Sequence, residues 1–265
     1  MEQNPAMADS PWFPQPKADV RAARVRLFCF PYAGGSALIF RQWPELLSPD
    51  IELRAAHLPG RGVRLWEPPF DNMHRLVDEL LPAVAELLDD KPFALFGHSM
   101  GGSIAFEVAR RLRAELGVEP LRLIISGRRA PHLPDMLRPI YNLPEEEFKE
   151  ELRRLNGTPS EVFEQPELME MLLPILRADV TLSQTYNCET RPSLSCPLTV
   201  FGGLGDEYDD PEALDGWREH TVGSFSRKMF EGDHFFINTA RQQLLRELEG
   251  ALLGGHEVAR AGGGE

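Results

Sequence analysis

A serine that lies between two glycines is the first feature of this sequence that could do chemistry. Within the stretch FALFGHSMGGSIAF, residues 97–101 read GHSMG, which fits the pattern G-x-S-x-G. This pattern is typical of a sharp turn between a strand and a helix, where the serine hydroxyl projects outward and the glycines let strand and helix approach closely. A serine presented in this way can attack an acyl carbon. We therefore predict that Ser99 is a nucleophile.

The residues around the motif favour this interpretation. Five letters are weak on their own, because a glycine-rich turn with an idle serine would also match them. Before the motif, PFALF is a continuous apolar run, as expected for a buried parallel strand. After it, apolar residues recur at helical spacing, namely Ile104, Ala105, Val108, Ala109 and Leu112. Strand, turn and helix are the context that the motif requires.

A serine hydroxyl needs a base, and the base needs a third group that orients it. When the serine lies on such a turn, an acid and then a histidine follow in the chain, each after a later strand. Asp206 follows the apolar run PLTVFGG and His234 follows FSRKMF, so we predict these two as the acid and the base. Asp209 and Asp210, in the same loop, and Asp179 are the alternatives for the acid. None of the other six histidines has the required position.

Two backbone N–H groups are expected to stabilise the negative charge that develops on the substrate oxygen, as an oxyanion hole. One is expected from Met100, the residue after the serine. The other is expected from the loop PYAGGS, which follows the first apolar run. Its glycines let the backbone approach a substrate. We predict Ala33 as the donor, with Gly34 as the second choice.

These residues require a sheet whose strands end at one edge. Apolar runs predict strands at 25–30, 51–58, 92–96, 121–127, 197–203 and, more ambiguously, 225–230. Helical patterns alternate with them, including one over 76–88 that Pro82 interrupts and one over 239–253. The alternation predicts an α/β fold, a mostly parallel central sheet flanked by helices, with a site at the carboxyl ends of its strands. Together with the motif, this is an α/β-hydrolase fold.

Residues 21–130 and 187–254 are predicted to form this core. Between them, residues 131–186 contain helical patterns but no convincing strand. An insertion of that length predicts a helical lid over the site, with ordinary crossover structure as the alternative. Residues 1–20 are expected to be a flexible leader, from which Trp12 and Phe13 could dock on the core. Residues 255–265 are expected to be a disordered tail.

The composition bounds the function further. Of the 265 residues 42% are hydrophobic, and no apolar run reaches the length needed to span a membrane. The net charge of −13 at pH 7 argues against nucleic acids and anionic membranes as partners. Cys29, Cys188 and Cys196 lack metal-ligand spacing, and the N-terminus lacks the pattern of a secretory signal. These features predict a cytoplasmic protein without a metal site.

Several longer motifs resemble the type II, or editing, thioesterases, stand-alone α/β-hydrolases that accompany polyketide, nonribosomal-peptide and fatty-acid synthases. The similarity runs from about Trp12 to Leu253 and rests on RLFCFPYAGGS, HLPGRG, FGHSMGGSIAFEVAR, ISGRRAPHL, LPILRADVTLSQTY and GDHFF. Tyr32 and Gly62 depart from the usual residues, and neither belongs to the predicted triad. The resemblance implies hydrolysis of stalled or wrongly loaded acyl groups from the phosphopantetheine arm of acyl or peptidyl carrier proteins. It implies no cofactor of the enzyme, because the phosphopantetheine belongs to the substrate.

Carrier proteins are generally acidic, and so is this chain, so docking requires a local basic or apolar patch. Arg61, Arg64, Arg128 and Arg129 follow predicted strand ends. Arg128 and Arg129 are our candidates for carrier binding, with ordinary solvated or ion-paired arginines as the alternative. We expect the protein to be a monomer.

Three other functions remain open from the sequence. A general carboxylesterase or lipase would use the same triad on oxygen esters. A cyclising or acyl-transferring thioesterase would replace water by another nucleophile. A hydrolase-fold binding protein would have lost activity, and the intact Ser99, Asp206 and His234 argue against it.

Overall fold

Six parallel strands form the centre of the molecule. The computed structural model describes residues 10–16, 20–134, 138–188, 191 and 193–254. The strands run β2-β1-β3-β4-β5-β6 across the sheet, and every neighbouring pair is parallel. Their bounds are β1 Val25–Phe30, β2 Ile51–Ala55, β3 Phe93–His98, β4 Arg122–Ser126, β5 Leu198–Gly203 and β6 Phe225–Phe230. The predicted α/β fold with a mostly parallel sheet is confirmed.

Helices cover both faces of the sheet. The helices described are α1 Trp43–Leu46, α2 Met73–Ala85, α3 Met100–Leu116, α4 Glu145–Leu155, α5 Ser160–Phe163, α6 Pro166–Thr185, α7 Pro211–Asp215, α8 Phe236–Thr239 and α9 Arg241–Leu253. Alternate residues of each strand point to opposite faces. Accordingly Phe28 packs in one apolar cluster with α2 and α3, whereas Leu27 packs in another with α1 and α9. Among the described helices, none is long and apolar enough to cross a bilayer.

The element boundaries differ from the predicted ones in explicable places. β2 ends at Ala55 rather than Leu58, because the chain turns away and the His57 N–H donates to the Trp12 carbonyl at 2.9 Å. Pro82 lies in the last turn of α2 and does not divide the helix, which ends at Ala85. The last helix begins at Arg241, after the separate short helix α8.

The described part of the predicted leader packs on the core. Trp12 and Phe13 are buried, and the Phe13 ring meets the Phe28 ring edge-on at 5.1 Å between centroids. The Arg64 guanidinium lies over the Trp12 ring at 4.1 Å. Residues 1–9 and 17–19 of the leader, and the predicted tail at 255–265, lie outside the described residues.

The segment between β4 and β5 has its own apolar cluster. Helices α4, α5 and α6 occupy this segment, and its described residues contain no strand. Its cluster contains Ile140, Phe148, Leu152, Met169, Leu173, Leu176 and Val180. The segment is therefore a separately packed helical layer at the carboxyl edge of the sheet. Its role as a lid stays a prediction.

Candidate active site

Ser99 lies on a strained corner between β3 and α3. Its backbone has φ 54° and ψ −118°, a conformation that residues with a side chain rarely adopt. A Cβ added at Gly97 would lie 1.9 Å from the Gly101 carbonyl oxygen, and one added at Gly101 would lie 2.1 Å from that of Phe30. The Ser99 N–H donates to the Ser126 carbonyl at 2.7 Å. The two glycines of the motif are therefore required by contact distances.

The predicted serine, histidine and aspartate form one hydrogen-bonded chain. Ser99 Oγ lies 3.0 Å from His234 Nε2, and Asp206 Oδ2 lies 2.7 Å from His234 Nδ1. Asp206 follows β5 and His234 follows β6, so parallel strands bring both to the edge where β3 ends. The Asp206 side chain is fully buried, whereas that of His234 is 16% exposed. Because the Asp206 carboxylate accepts the proton of Nδ1, Nε2 is the ring nitrogen of His234 that is left to accept a proton from Ser99.

The other aspartates considered from the sequence have different partners. Asp209 accepts a hydrogen bond from the Arg129 N–H at 3.1 Å. Asp210 caps α7 by accepting from the Ala213 N–H at 2.8 Å. Asp179 pairs with Arg61. Among the four candidates, Asp206 is the one hydrogen-bonded to the histidine.

The surroundings keep the Asp206 carboxylate ionised. Burial by itself would raise its pKa, but the hydrogen bond and charge of His234 and the N–H groups of Tyr208 and Asp209 outweigh burial, so the pKa is lowered. For Asp209 the balance is reversed: burial raises its pKa, against the lowering effect of Arg128 and His234. The two neighbouring carboxyls thus differ in their tendency to carry charge.

His98, the residue before the serine, packs against the ring of His234. Its ring is fully buried, lies 5.3 Å from the His234 ring between centroids, and its Nδ1 is 2.9 Å from Ser126 Oγ. Burial, and then the charge of His234, lower the pKa of His98 well below 6.5. A Cβ at Gly127 would lie 2.8 Å from His98 Cε1, so this glycine leaves room for the ring.

The PYAGGS loop, residues 31–36, carries Ala33, the predicted oxyanion donor. Among the described residues the Ala33 N–H has no acceptor, whereas the Gly34 N–H donates to Asp179 Oδ2 at 2.7 Å. Met100 begins α3, where the first N–H groups of a helix lack a carbonyl partner one turn earlier. Gly34, the second choice from the sequence, is thereby committed to another partner.

A cleft opens beside Ser99 beneath the helical layer. The empty space between its lining residues is about 930 Å³, part of which is open solvent. Apolar side chains of the helical layer line one wall, namely Ile140, Leu152, Leu155, Leu176 and Val180. Arg128, Arg129 and Asp209 also line the cleft and are its charged groups next to His234. Such a cleft suits a substrate with an apolar chain next to the reacting carbonyl.

The four arginines considered for docking make contacts within the chain. The Arg128 guanidinium donates to the Ser183 carbonyl at 2.9 Å, and that of Arg129 donates to the Pro134 carbonyl at 2.9 Å. Arg129 is only 8% exposed. Arg61 and Arg64 are also buried and are paired with Asp179 and Glu67. Arg128 and Arg129 therefore line the cleft, and their role in carrier binding stays a prediction.

The site also brings three potential metal ligands together. One ligand-type atom each of Asp206, Asp209 and His234 lies within 4.8 Å of the others. Both ring nitrogens of His234 are already hydrogen-bonded, to Ser99 and to Asp206. Binding a metal would therefore break the chain from serine to aspartate.

Sequence reasoning missed the contact between Arg61 and Asp179. Asp179 is 2% exposed and stands between Ala178 and Val180 on α6, which are also buried. A charged residue within an apolar helix face requires a partner. That pattern was the available signal, but the partner lies 118 positions away.

The parallel sheet, the strained corner and the Ser–His–Asp chain define an α/β-hydrolase. The thioesterase domain model matches residues 25–252 of the sequence. The chain therefore belongs to the thioesterase domain family.

Three similar proteins locate the chain within this family. It is 42% identical to LgrE of Brevibacillus parabrevis, named linear gramicidin dehydrogenase, over 94% of this chain and 95% of LgrE. The structure of RedJ, a thioesterase of the prodiginine pathway in Streptomyces coelicolor, matches with 40% identity and a TM-score of 0.81, over 91% and 98% of the two chains. That of BorB, a type II thioesterase from the borrelidin cluster, matches with 34% identity and a TM-score of 0.81, over 92% and 98%. The resemblance to type II thioesterases is confirmed.

Proposed function

We propose that this protein hydrolyses stalled or aberrant acyl groups from the phosphopantetheine arm of acyl or peptidyl carrier proteins in polyketide or nonribosomal-peptide synthesis. The observation that carries the proposal is the hydrogen-bonded chain Ser99–His234–Asp206 at the end of an apolar cleft. Family membership supports a thioester as the bond that is cleaved. The pathways named for RedJ and BorB support a carrier-bound substrate.

The mechanism follows from the roles of the three residues. Ser99 Oγ attacks the thioester carbonyl while His234 Nε2 takes its proton, and Asp206 orients the ring and stabilises the imidazolium. The N–H groups of Ala33 and Met100 receive the developing oxyanion. The C–S bond then breaks, and His234 protonates the departing thiolate. Water, deprotonated by His234, attacks the acyl-serine, releases the carboxylic acid and restores Ser99.

The functions left open by the sequence are less well supported. The relatives with type II thioesterase names favour a thioesterase over a general carboxylesterase or lipase. The dehydrogenase in the name of LgrE is not carried over, because this sequence contains no G-x-G-x-x-G dinucleotide motif. A carrier protein as partner, a monomeric state and a cytoplasmic location stay part of the proposal.

The test is release of free thiol from an acyl-pantetheine and from the same acyl group on a carrier protein, with a matched oxygen ester as the control substrate. The expected result is thiol release that prefers the carrier-bound substrate and falls by at least about 10³-fold in Ser99→Ala. Faster cleavage of the oxygen ester, with no gain from the carrier, would contradict the proposal and indicate a general esterase.

A further inference from the structure

One buried ion pair joins the helical layer to the PYAGGS loop. Asp179 of α6 forms a bidentate pair with Arg61, with distances of 2.5 and 2.8 Å. Both side chains are buried, at 2% and 8% exposure. The same Asp179 Oδ2 that faces Arg61 also accepts the Gly34 N–H at 2.7 Å. A single carboxylate therefore fixes the residue next to the predicted oxyanion donor Ala33.

Arg61 ties a second loop into this arrangement. Its guanidinium also donates to the Pro59 carbonyl at 3.1 Å and the Gly35 carbonyl at 3.4 Å. Two adjacent residues of the PYAGGS loop are thus bound, Gly34 through its N–H to Asp179 and Gly35 through its carbonyl to Arg61. The carboxylate of the pair therefore accepts from an N–H of the loop, and the guanidinium donates to a carbonyl of the same loop.

Helix α6 also sets the position of the loop by contact. Gly34 has φ +76°, and a Cβ at this position would lie 2.7 Å from Leu176 Cδ2, one turn before Asp179. The loop therefore packs directly on α6. A small cavity is lined by Arg61, Asp179 and Met100, the second predicted oxyanion donor.

We propose that the Arg61–Asp179 pair positions the oxyanion hole and makes its geometry depend on the seating of helix α6. Resting on the proposed function, this makes the pair a positioning element rather than a catalytic one, because neither residue reaches the reacting atoms. When α6 is seated, Asp179 holds Gly34 and the Ala33 N–H is aimed at the substrate oxygen. When α6 moves away, the loop loses both its hydrogen bond and its packing surface. The serine then remains nucleophilic but its transition state is poorly stabilised.

The test separates positioning from stability. The double variant Arg61→Met/Asp179→Leu replaces the pair by apolar side chains of similar volume, a change that often preserves or raises stability at a buried ion pair. It has no acceptor for the Gly34 N–H. We expect a folded protein whose melting temperature is lowered by the unpaired Gly34 N–H, with at least a tenfold slower labelling of Ser99 by a fluorophosphonate. Asp179→Asn, which keeps an acceptor oxygen but loses the charge, should slow labelling by at least threefold.

Two inhibitors supply a readout that a purely structural role would not move. An acyl trifluoromethyl ketone adds to Ser99 and places an oxyanion in the hole, whereas the matching pantetheine thioether only fills the cleft. In the double variant the ketone should lose at least tenfold in affinity and the thioether less than twofold. Equal losses for both, or wild-type labelling in a folded variant, would overturn the proposal. If the double variant does not fold, Asp179→Asn decides by the same two affinities.

Glu52, near the amino end of β2, provides a matched control away from the carboxyl edge of the sheet. Glu52 of β2 is as buried as Asp179 and pairs with Arg26 and Arg54. Glu52→Gln should lower the melting temperature without changing the ratio of the two inhibitor affinities. Because labelling of Ser99 requires no natural substrate, the outcome is independent of thioester hydrolysis. A wild type that is labelled but releases no thiol would contradict the proposed function and leave this inference standing.

Discussion

The backbone of Ser99 is strained in the position where its side chain meets His234. Its φ of 54° and ψ of −118° are the mirror image of an ordinary extended conformation, which only glycine adopts readily. Strain of this kind costs about 1–3 kcal/mol and persists where the surrounding structure enforces it. Here the enforcement comes from Gly97 and Gly101, whose missing Cβ atoms let β3 and α3 meet.

Replacing Ser99 by glycine should therefore stabilise the protein while removing its activity. Relief of strain exceeds the extra chain entropy of glycine, so we expect the free energy of unfolding to rise by about 1 kcal/mol. Denaturant unfolding of Ser99→Gly measures the change, and Ser99→Ala is the matched control because it retains the Cβ. A glycine variant no more stable than the alanine variant would show that the corner is not strained.

The three residues of the Ser–His–Asp chain could be predicted from the sequence, whereas the contacts that hold the neighbouring PYAGGS loop could not. Ser99, Asp206 and His234 each follow a strand, and parallel strands bring their carboxyl ends together whatever the details of packing. The choice of Asp206 over Asp209 depends on a few ångströms within one loop, and sequence alone left both possible. The contact of Asp179 with Gly34 depends on how α6 packs, which no local pattern specifies.

At the scale of elements, the strands were predicted better than the surfaces between them. Apolar runs placed the central strands, since a strand buried on both faces has a continuous apolar sequence. The edge strand β6 was predicted only ambiguously, because its Arg227 and Lys228 are exposed. Their ends shifted where tertiary contacts compete, as when residue His57 leaves β2 to pair with Trp12. The arginines after strand ends were considered for docking, with ion-paired arginines as one alternative, and Arg61, Arg64 and Arg129 are buried in the structure.

Shortening a side chain of the helical layer that lines the cleft should change the preferred length of the acyl chain. Leu152 of α4 is buried and lines the cleft, so Leu152→Ala should enlarge the acyl site. Because burial of a methylene contributes about 0.8 kcal/mol, the preference for an acyl chain two methylenes longer should rise by about tenfold in kcat/KM. Thiol release from a series of acyl-pantetheines measures this shift.

Leu173→Ala is the matched control for that measurement. Leu173 belongs to the same apolar cluster as Leu152 but does not line the cleft. It should cost similar stability, about 2–5 kcal/mol for a buried leucine, without altering chain-length preference. The same shift in both variants would mean that the layer acts through general loosening rather than through the shape of the cleft.

For the whole molecule, buried neutral histidines predict sensitivity to mild acid. Burial, followed by the charges of His132, Arg191 and Arg110, lowers the pKa of His220 to about 3, and His98 is likewise held well below 6.5. Both are neutral in the folded state, whereas an unfolded histidine takes up a proton near pH 6.5. The unfolded chain then binds more protons, so stability falls as the pH drops below about 6.5.

The slope of this loss can be measured. Each such histidine contributes about 1.4 kcal/mol per pH unit well below pH 6.5, so these two give about 2.7 kcal/mol per unit by pH 5. Urea unfolding between pH 6 and 5 tests the slope. In His220→Gln the slope should fall by about 1.4 kcal/mol per pH unit, which is the contribution of one histidine. An unchanged slope would mean that His220 is protonated in the folded protein.

The position of β6 has a consequence for the order in which the chain acquires its properties during synthesis. Within the part of the chain that the structure describes, β6 is an edge strand that pairs with β5, and His234 follows it, 135 residues after the serine it contacts. A nascent chain folded as far as β5 would present Ser99 and Asp206 without a base between them. Under the proposed mechanism, hydrolysis therefore requires that β6 has docked on β5 and brought His234 to Ser99.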